Sequence, residues 1–406
     1  MSLRLIGVAV PLALLLVAAP GRAQSSPTND VCLTCHGEPD MKRSDGRPVT
    51  VDPKRFEHSV HSPLACVDCH ADLAKTTDFP HPEKLAKVDC ASCHDDQAKQ
   101  LAASVHTRRP HGNGPPLSCV ECHRQPHEIL PASDPESATN KLKIEDTCGR
   151  CHGDGSAPDG FRGPAVARMF SDSIHGQALT RAGLVVAPTC SDCHTSHAVE
   201  EKTSTHSPVF AANVPATCGK CHAGIERDYH AGVHGAALAQ GNTQAPQCAT
   251  CHSAHAITRT ESDAWQLGAV QECGTCHAEA LATYRDTYHG KVTSLGFSPV
   301  AKCADCHRPH QIFKPTDPRS SVHAQNLQAT CGACHTHVTP NFVKYQPHAN
   351  PHNRTKLPAL YYSSLFMNAL MIGVFGFFGV HTTLWFLRER VGPDDESPPK
   401  EDGPRG

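Results

Sequence analysis

Cys190-Ser191-Asp192-Cys193-His194-Thr195-Ser196-His197 holds the pattern that decides the fold: two cysteines three apart, with a histidine directly after the second. The same spacing recurs at Cys32, Cys35 and His36, at Cys66, Cys69 and His70, and at Cys90, Cys93 and His94. It is found again at Cys119, Cys122 and His123, at Cys148, Cys151 and His152, and at Cys218, Cys221 and His222. It continues at Cys248, Cys251 and His252, at Cys273, Cys276 and His277, at Cys303, Cys306 and His307, and at Cys331, Cys334 and His335. These eleven copies take up all 22 cysteines of the chain. Two thiols at this spacing add across the two vinyl groups of one haem, and the adjacent imidazole then reaches its iron from the same turn. The expectation is eleven covalently attached haems c, with the eleven motif histidines as proximal iron ligands.

A disulfide framework would not place His after every second cysteine when His makes up only 30 of 406 residues. Structural zinc pairs two Cys-x-x-Cys hairpins and has no need of a histidine on each.

Composition agrees. Residues 24–357 provide 334 residues, about 30 for each motif, and aromatic residues are 5% of the chain. So few large apolar side chains cannot pack an ordinary core of that size, so the macrocycles are expected to supply the buried mass. The expected fold is mostly irregular, with short α-helices wrapped around stacked haems, little or no β, and one C-terminal transmembrane helix. The formal charge of −3 leaves out the haem propionates, about 22 further negative charges for eleven haems. No basic run points to nucleic acid.

The motifs form a repeat. Those starting at Cys32, Cys90, Cys148, Cys218, Cys273 and Cys331 lie 58, 58, 70, 55 and 58 residues apart, and every unit except the last encloses a second motif. Two further histidines recur. One lies between the motifs (His61, His106, His175, His234, His289), and one follows the second motif closely (His127, His197, His255, His310). The first unit lacks the latter, and His81 is its nearest substitute; beyond the last motif lie His348 and His352. These twelve are the candidate distal iron ligands, because haem iron favours imidazole. Sequence does not assign each to a haem. His58, His111, His206, His230, His323 and His337 are read as surface or propionate-bonding side chains. Only Met41 and Met169 are available for methionine ligation between residues 24 and 357, so a predominantly low-potential protein is expected. Residues 95–105 and 278–288 are good helix formers, each leading to a recurring histidine.

The ends differ. Residues 1–23 read as a signal peptide, with Arg4, an apolar stretch from Leu5 to Ala19, and small residues at Gly21 and Ala23 before a cut at Gln24. Residues 358–388 read as a membrane anchor, because Leu365–Leu387 is apolar and about 35 Å long as a helix. An external haem domain over 24–357 then places the tail, 389–406, in the cytoplasm, where an acidic, Pro-rich composition predicts disorder. His381 lies within the span, so it is a functional candidate, with an integral quinol-oxidising or b-type cytochrome subunit as the expected partner.

Thr217-Cys218-Gly219-Lys220-Cys221-His222 and the segment 190–197 resemble the doubled-CXXCH multihaem cytochromes, related to cytochromes c3 and c7. The resemblance covers roughly Asp30 to His352. It implies bis-histidine haems in closely packed pairs and a role in respiratory electron transfer with periplasmic or outer-membrane cytochromes. The C-terminal helix departs from soluble c3 and c7 proteins, and from quinol dehydrogenases with an N-terminal anchor. The reading is a non-enzymatic electron carrier at the inner membrane. The alternative is a reductase of the nitrite, hydroxylamine or tetrathionate type with one open haem site. Nineteen non-motif histidines for eleven irons favour the carrier.

Overall fold

The structure, a computed structural model, describes residues 26–108, 116–153 and 163–390. The expected signal peptide, His111 and residues 391–406 of the expected tail lie outside the described residues. Among the described residues there is no β-strand, only one isolated bridge between Lys42 and Pro48. The chain divides into two compact units. One comprises residues 1–220 with 252–257, and the other 221–251 with 258–406.

Each unit is built from short helices broken at a Ser, Thr or Gly two residues before a recurring histidine. In the first unit α1 (Asp95–Ala103) is followed by α2 (Val105–Arg108), and α3 (Val166–Asp172) by α4 (Ile174–Thr180). In the second, α5 (Ala223–Ala231) precedes α6 (Val233–Ala239), and α7 (Ala278–Asp286) precedes α8 (Tyr288–Ser294). The single helices expected over 95–105 and 278–288 are therefore interrupted. Ser104 and Thr287 are extended, with ψ of 154° and 165°. Their hydroxyls accept from the N–H of His106 at 3.2 Å and of Gly290 at 3.1 Å. A hydroxyl residue that can cap a new helix competes with continuing the old one. The break turns the recurring histidine onto the first turn of the second helix.

The two helices of a pair cross closely. A Cβ at Gly290 would overlap the Tyr284 carbonyl and sit 2.6 Å from Arg285 Cα. Gly176 and Gly235 meet the same restriction against Phe170 and Tyr229.

Apolar packing is sparse. In the second unit Tyr229, Leu238 and Ala245 form one buried cluster and Val270, Leu281 and Tyr284 another. The two tyrosines are equivalent: Tyr229 Oη donates to the Pro246 carbonyl at 2.8 Å and Tyr284 Oη to that of Ala301 at 2.9 Å. Loops are fixed by polar contacts instead. The threonine before a first motif donates back to a loop carbonyl nine residues earlier, at 2.7 Å for each of Thr147, Thr217 and Thr330.

The second unit ends in α9 (Pro358–Arg390), 33 residues long and apolar enough to cross a membrane. At 1.5 Å per residue it is about 50 Å long, more than a bilayer core requires.

Candidate functional site

The two motifs of a repeat are shaped differently. Three first motifs lie at the ends of longer helices, Asn29–His36, Ile144–His152 and Asp263–Cys276, two lie in the six-residue helices Val214–Gly219 and Leu327–Gly332, and the one at Cys90 opens a 3-10 turn, Cys90–Ser92. Second motifs form isolated turns of four or five residues: Cys66–Cys69, Cys119–His123, Cys190–His194, Cys248–His252 and Cys303–His307. So short a helix needs its own start signal. In four of them an acid before the second cysteine supplies it, accepting from the N-cap N–H: Asp68 from Ala65 at 2.8 Å, Glu121 from Ser118 at 2.8 Å, Asp192 from Thr189 at 2.7 Å and Asp305 from Lys302 at 2.8 Å. In Cys248–His252 the Thr250 hydroxyl accepts from Gln247 N–H at 3.2 Å.

Within each compact unit the cysteines link the motifs in chain order. In four repeats the first cysteines of the two motifs interact with each other: Cys32 with Cys66, Cys90 with Cys119, Cys148 with Cys190, and Cys273 with Cys303. The last cysteine of each second motif interacts with the first motif of the following unit: Cys69 with Cys90, Cys122 with Cys151, Cys193 with Cys218, Cys251 with Cys273, and Cys306 with Cys331.

Many of the attachment cysteines are exposed, among them Cys69, Cys90, Cys122, Cys251 and Cys273 of the contacts just described. Cys35, Cys93 and Cys334 are exposed, as are Cys221 and Cys276. Their surroundings are slight. The Cys35 carbonyl accepts from Glu38 N–H at 3.1 Å, Cys93 Sγ accepts from Ser92 Oγ at 3.9 Å, and Cys334 N–H donates to the Cys331 carbonyl at 3.2 Å. Cys93 and Cys334 also interact with Cys69 and Cys306. At Cys35, Cys93 and Cys334 the polypeptide itself leaves the cysteine uncovered. The physical reason is that a thiol joined to a macrocycle needs a face clear of protein, and the macrocycle then covers it. Exposure at these three positions fits attachment.

Nine motif histidines each face one of the candidate distal histidines. First motifs give His36–His81 at 5.9 Å between ring centroids, His94–His61 at 6.2 Å, His152–His106 at 6.4 Å, His277–His234 at 6.2 Å and His335–His289 at 6.0 Å. Second motifs give His70–His127 at 6.2 Å, His123–His197 at 6.2 Å, His194–His255 at 5.9 Å and His307–His348 at 6.2 Å. Metal–imidazole bonds of about 2 Å on both sides of one iron put ring centroids about 6 Å apart. The residues present therefore fit bis-imidazole coordination.

A rule runs through these pairs. A first motif faces the histidine between the motifs of the preceding unit. A second motif faces the post-motif histidine of the following unit. The two terminal repeats depart from it: His36 faces His81 within its own repeat, and His307 faces His348 beyond the last motif. Of the two C-terminal candidates the structure brings in His348, whose Nδ1 lies 3.0 Å from Thr283 Oγ1. His352 is exposed. His175 and His252 lie in the first compact unit, and His222 and His310 in the second. His175 holds the same first-turn place as His106 and His234.

Burial pushes His70, His123, His127, His152, His194, His234, His255, His289, His307 and His310 below the usual histidine range. A like-charged facing ring adds to this at His123, His194 and His307. They are held neutral, the form that binds a metal. Ring orientation also divides the pairs. His70, His123 and His194 lie 21°, 9° and 6° from their partners' planes, whereas His94, His152 and His335 lie 54°, 57° and 44° away.

The histidines read as non-ligands have other settings. His58 Nδ1 lies 2.7 Å from the Lys54 carbonyl, His230 Nε2 is 3.8 Å from Glu226, and His337 Nδ1 is 3.0 Å from Thr336 Oγ1. His323 Nδ1 accepts from Gln325 N–H at 3.4 Å. In α9, His381 stacks on Phe377 with centroids 6.3 Å apart.

Residues 38–152 match the class III cytochrome c family, and residues 183–227 the doubled CXXCH motif. The chain is a multihaem c-type cytochrome. It binds haem c covalently. The cytochrome is similar to the high-molecular-weight cytochrome c of Nitratidesulfovibrio vulgaris, 26% identical over 260 residues, which are 62% of this chain and 34% of that protein. It is 29% identical to the multiheme cytochrome MtrA of Shewanella baltica over 133 residues, 32% of this chain and 33% of that one. It is also 29% identical to the cytochrome c-type protein NrfB of Escherichia coli over 112 residues, 26% of this chain and 56% of that one. The alignments thus span only about a third of the first two relatives and little more than half of the third. No solved structure matches.

Proposed function

We propose that this cytochrome is a membrane-tethered electron conduit carrying eleven haems c, each held by two thioethers and two imidazoles. The nine facing histidine pairs carry the reading, because an iron closed on both sides has no position for a substrate. When bound, haem supplies reversible one-electron transfer. The protein's part is to fix each imidazole pair, keep the rings neutral, and seat successive motifs side by side in chain order. The cysteine contacts support that order within each compact unit, from Cys32 to Cys218 in one and from Cys251 to Cys331 in the other. In this reading α9 anchors the protein in the cytoplasmic membrane with residues 24–357 on the periplasmic side. Electrons pass between a quinone-linked membrane partner and periplasmic or outer-membrane redox proteins. The respiratory setting rests on the relatives' character as multihaem cytochromes.

The test uses purified full-length protein. Reductive titration should take up eleven electrons per chain, and the reduced protein should pass them to an oxidised soluble c-type cytochrome. Nitrite, hydroxylamine and tetrathionate should give no sustained turnover. Steady consumption of any of the three would replace the conduit with a reductase.

A further inference from the structure

Four backbone hydrogen bonds recur between repeat units at equivalent places. Val60 N–H donates to the Ile129 carbonyl at 2.8 Å, Val105 to Val199 at 2.9 Å, Ile174 to Ile257 at 2.7 Å and Val233 to Ile312 at 2.7 Å. Each donor directly precedes one recurring histidine (His61, His106, His175, His234). Each acceptor lies two residues past another (His127, His197, His255, His310). Val105, Ile174 and Val233 are the first residues of α2, α4 and α6, so their N–H groups have no partner within the helix.

A second feature accompanies every acceptor. Arg124, Thr195, Ser253 and Arg308, each directly after a second-motif histidine, have φ of 68°, 67°, 61° and 65°. With ψ of −139°, 171° and 154°, Arg124, Thr195 and Arg308 occupy backbone space that is almost reserved for glycine. The Thr195 hydroxyl is buried without a hydrogen-bond partner, so side-chain bonding does not explain the conformation there. The first unit is the exception that fits. Its equivalent residue, Ala71, lies in a 3-10 turn, and no recurring histidine follows it within four residues.

We propose that the left-handed residue and the inter-unit hydrogen bond form one positioning device that holds two distal histidines at once. The left-handed residue throws the chain away from its own motif, and the bond then fixes it against the helix start of another unit. At Val105–Val199 the two histidines so held are His106, facing His152, and His197, facing His123. Ligation of two successive irons is thereby coupled. The inference rests on the reading of these pairs as axial ligands.

Proline tests it, because proline suits the first helical position and removes only the N–H. Ser104 is already extended, with φ −72° and ψ 154°, as a residue before proline should be. Ser104 Oγ also donates to the Val199 carbonyl, at 3.1 Å, so Val105→Pro is made in a Ser104→Ala background, with Ser104→Ala alone as reference. In the fully haem-loaded, oxidised full-length protein the double variant should show high-spin iron approaching two per chain. Its reduced form should bind two carbon monoxide molecules where the reference binds none. Tyr288→Pro is the internal control. Tyr288 starts α8 after an extended Thr287 but has no such acceptor among the described residues and is 78% exposed; this variant should stay low-spin. Thr195→Gly should also stay low-spin, since glycine adopts this conformation freely.

A double variant that remains low-spin and inert to carbon monoxide, even with a lowered Tm, would overturn the proposal, and so would conversion of one iron only. High-spin iron in the wild-type protein would instead overturn the ligand reading on which the proposal rests.

Discussion

Of two C-terminal histidines four residues apart, only His348 should be needed to close an iron site. Its ring lies 6.2 Å from that of His307. Thr283 Oγ1 takes up its Nδ1 at 3.0 Å, leaving Nε2 for the metal. His348→Ala should therefore turn one iron in eleven high-spin, about 9% of the total. His352→Ala should turn none. Thr283→Val gives an intermediate case, because the imidazole keeps its place but loses its orienting partner. A hydrogen bond of about 0.5–1.5 kcal/mol corresponds to roughly a 2- to 12-fold weaker hold on the iron. The assay is a carbon monoxide titration of the reduced protein with electron paramagnetic resonance of the oxidised form. One new carbon monoxide site is expected in His348→Ala, and in Thr283→Val an apparent affinity raised by that factor. An unchanged His348→Ala, or a His352→Ala that loses one low-spin iron, would refute the reasoning.

The ring angles predict two classes of low-spin ferric signal, because the angle between two axial imidazole planes sets the splitting of the iron orbitals. His70, His123 and His194 should fall in the near-parallel class and His94, His152 and His335 in the other, and a single uniform signal would contradict the geometry. Gly290→Ala should lower stability by about 1–3 kcal/mol through overpacking against α7, read as a lower denaturation midpoint; an unchanged midpoint would show that the α7–α8 crossing has room. His381→Leu should slow quinol-driven haem reduction in native membranes several-fold and leave reduction by dithionite unchanged. Equal quinol-driven rates would remove His381 from electron entry.

Much of this architecture was legible in the residues. Cys-x-x-Cys-His specifies its own chemistry locally, so motifs and proximal histidines could be read one by one. Sparse aromatics and frequent motifs pointed to short helices, and among the described residues no strand interrupts them. Which cysteines the polypeptide itself would cover was not legible. Cys32 and Cys35 share one motif, yet Cys32 meets Cys66 and Cys35 is exposed, a difference set by how the motifs of a unit pack. The distal histidines could be collected as a set but not assigned, because pairing depends on which unit packs against which. One signal was available. A histidine three residues past the motif, such as His197 after His194, is on too short a tether to face its own motif histidine across an iron, so as a ligand it would serve another. The acids at Asp68, Glu121, Asp192 and Asp305 were equally visible as start signals for isolated turns. Breaks at Ser104 and Thr287 lay hidden behind good helix propensity on either side. Positive φ at Arg124 and Thr195 had no compositional sign, because neither residue favours it and only the surrounding contacts impose it.

The central claim is that imidazole closes both sides of every iron. Near-infrared magnetic circular dichroism of the oxidised full-length protein, scaled to its iron content, tests this most directly. The account predicts eleven low-spin bis-histidine haems per chain. A histidine–methionine band, or high-spin iron amounting to one per chain, would contradict it.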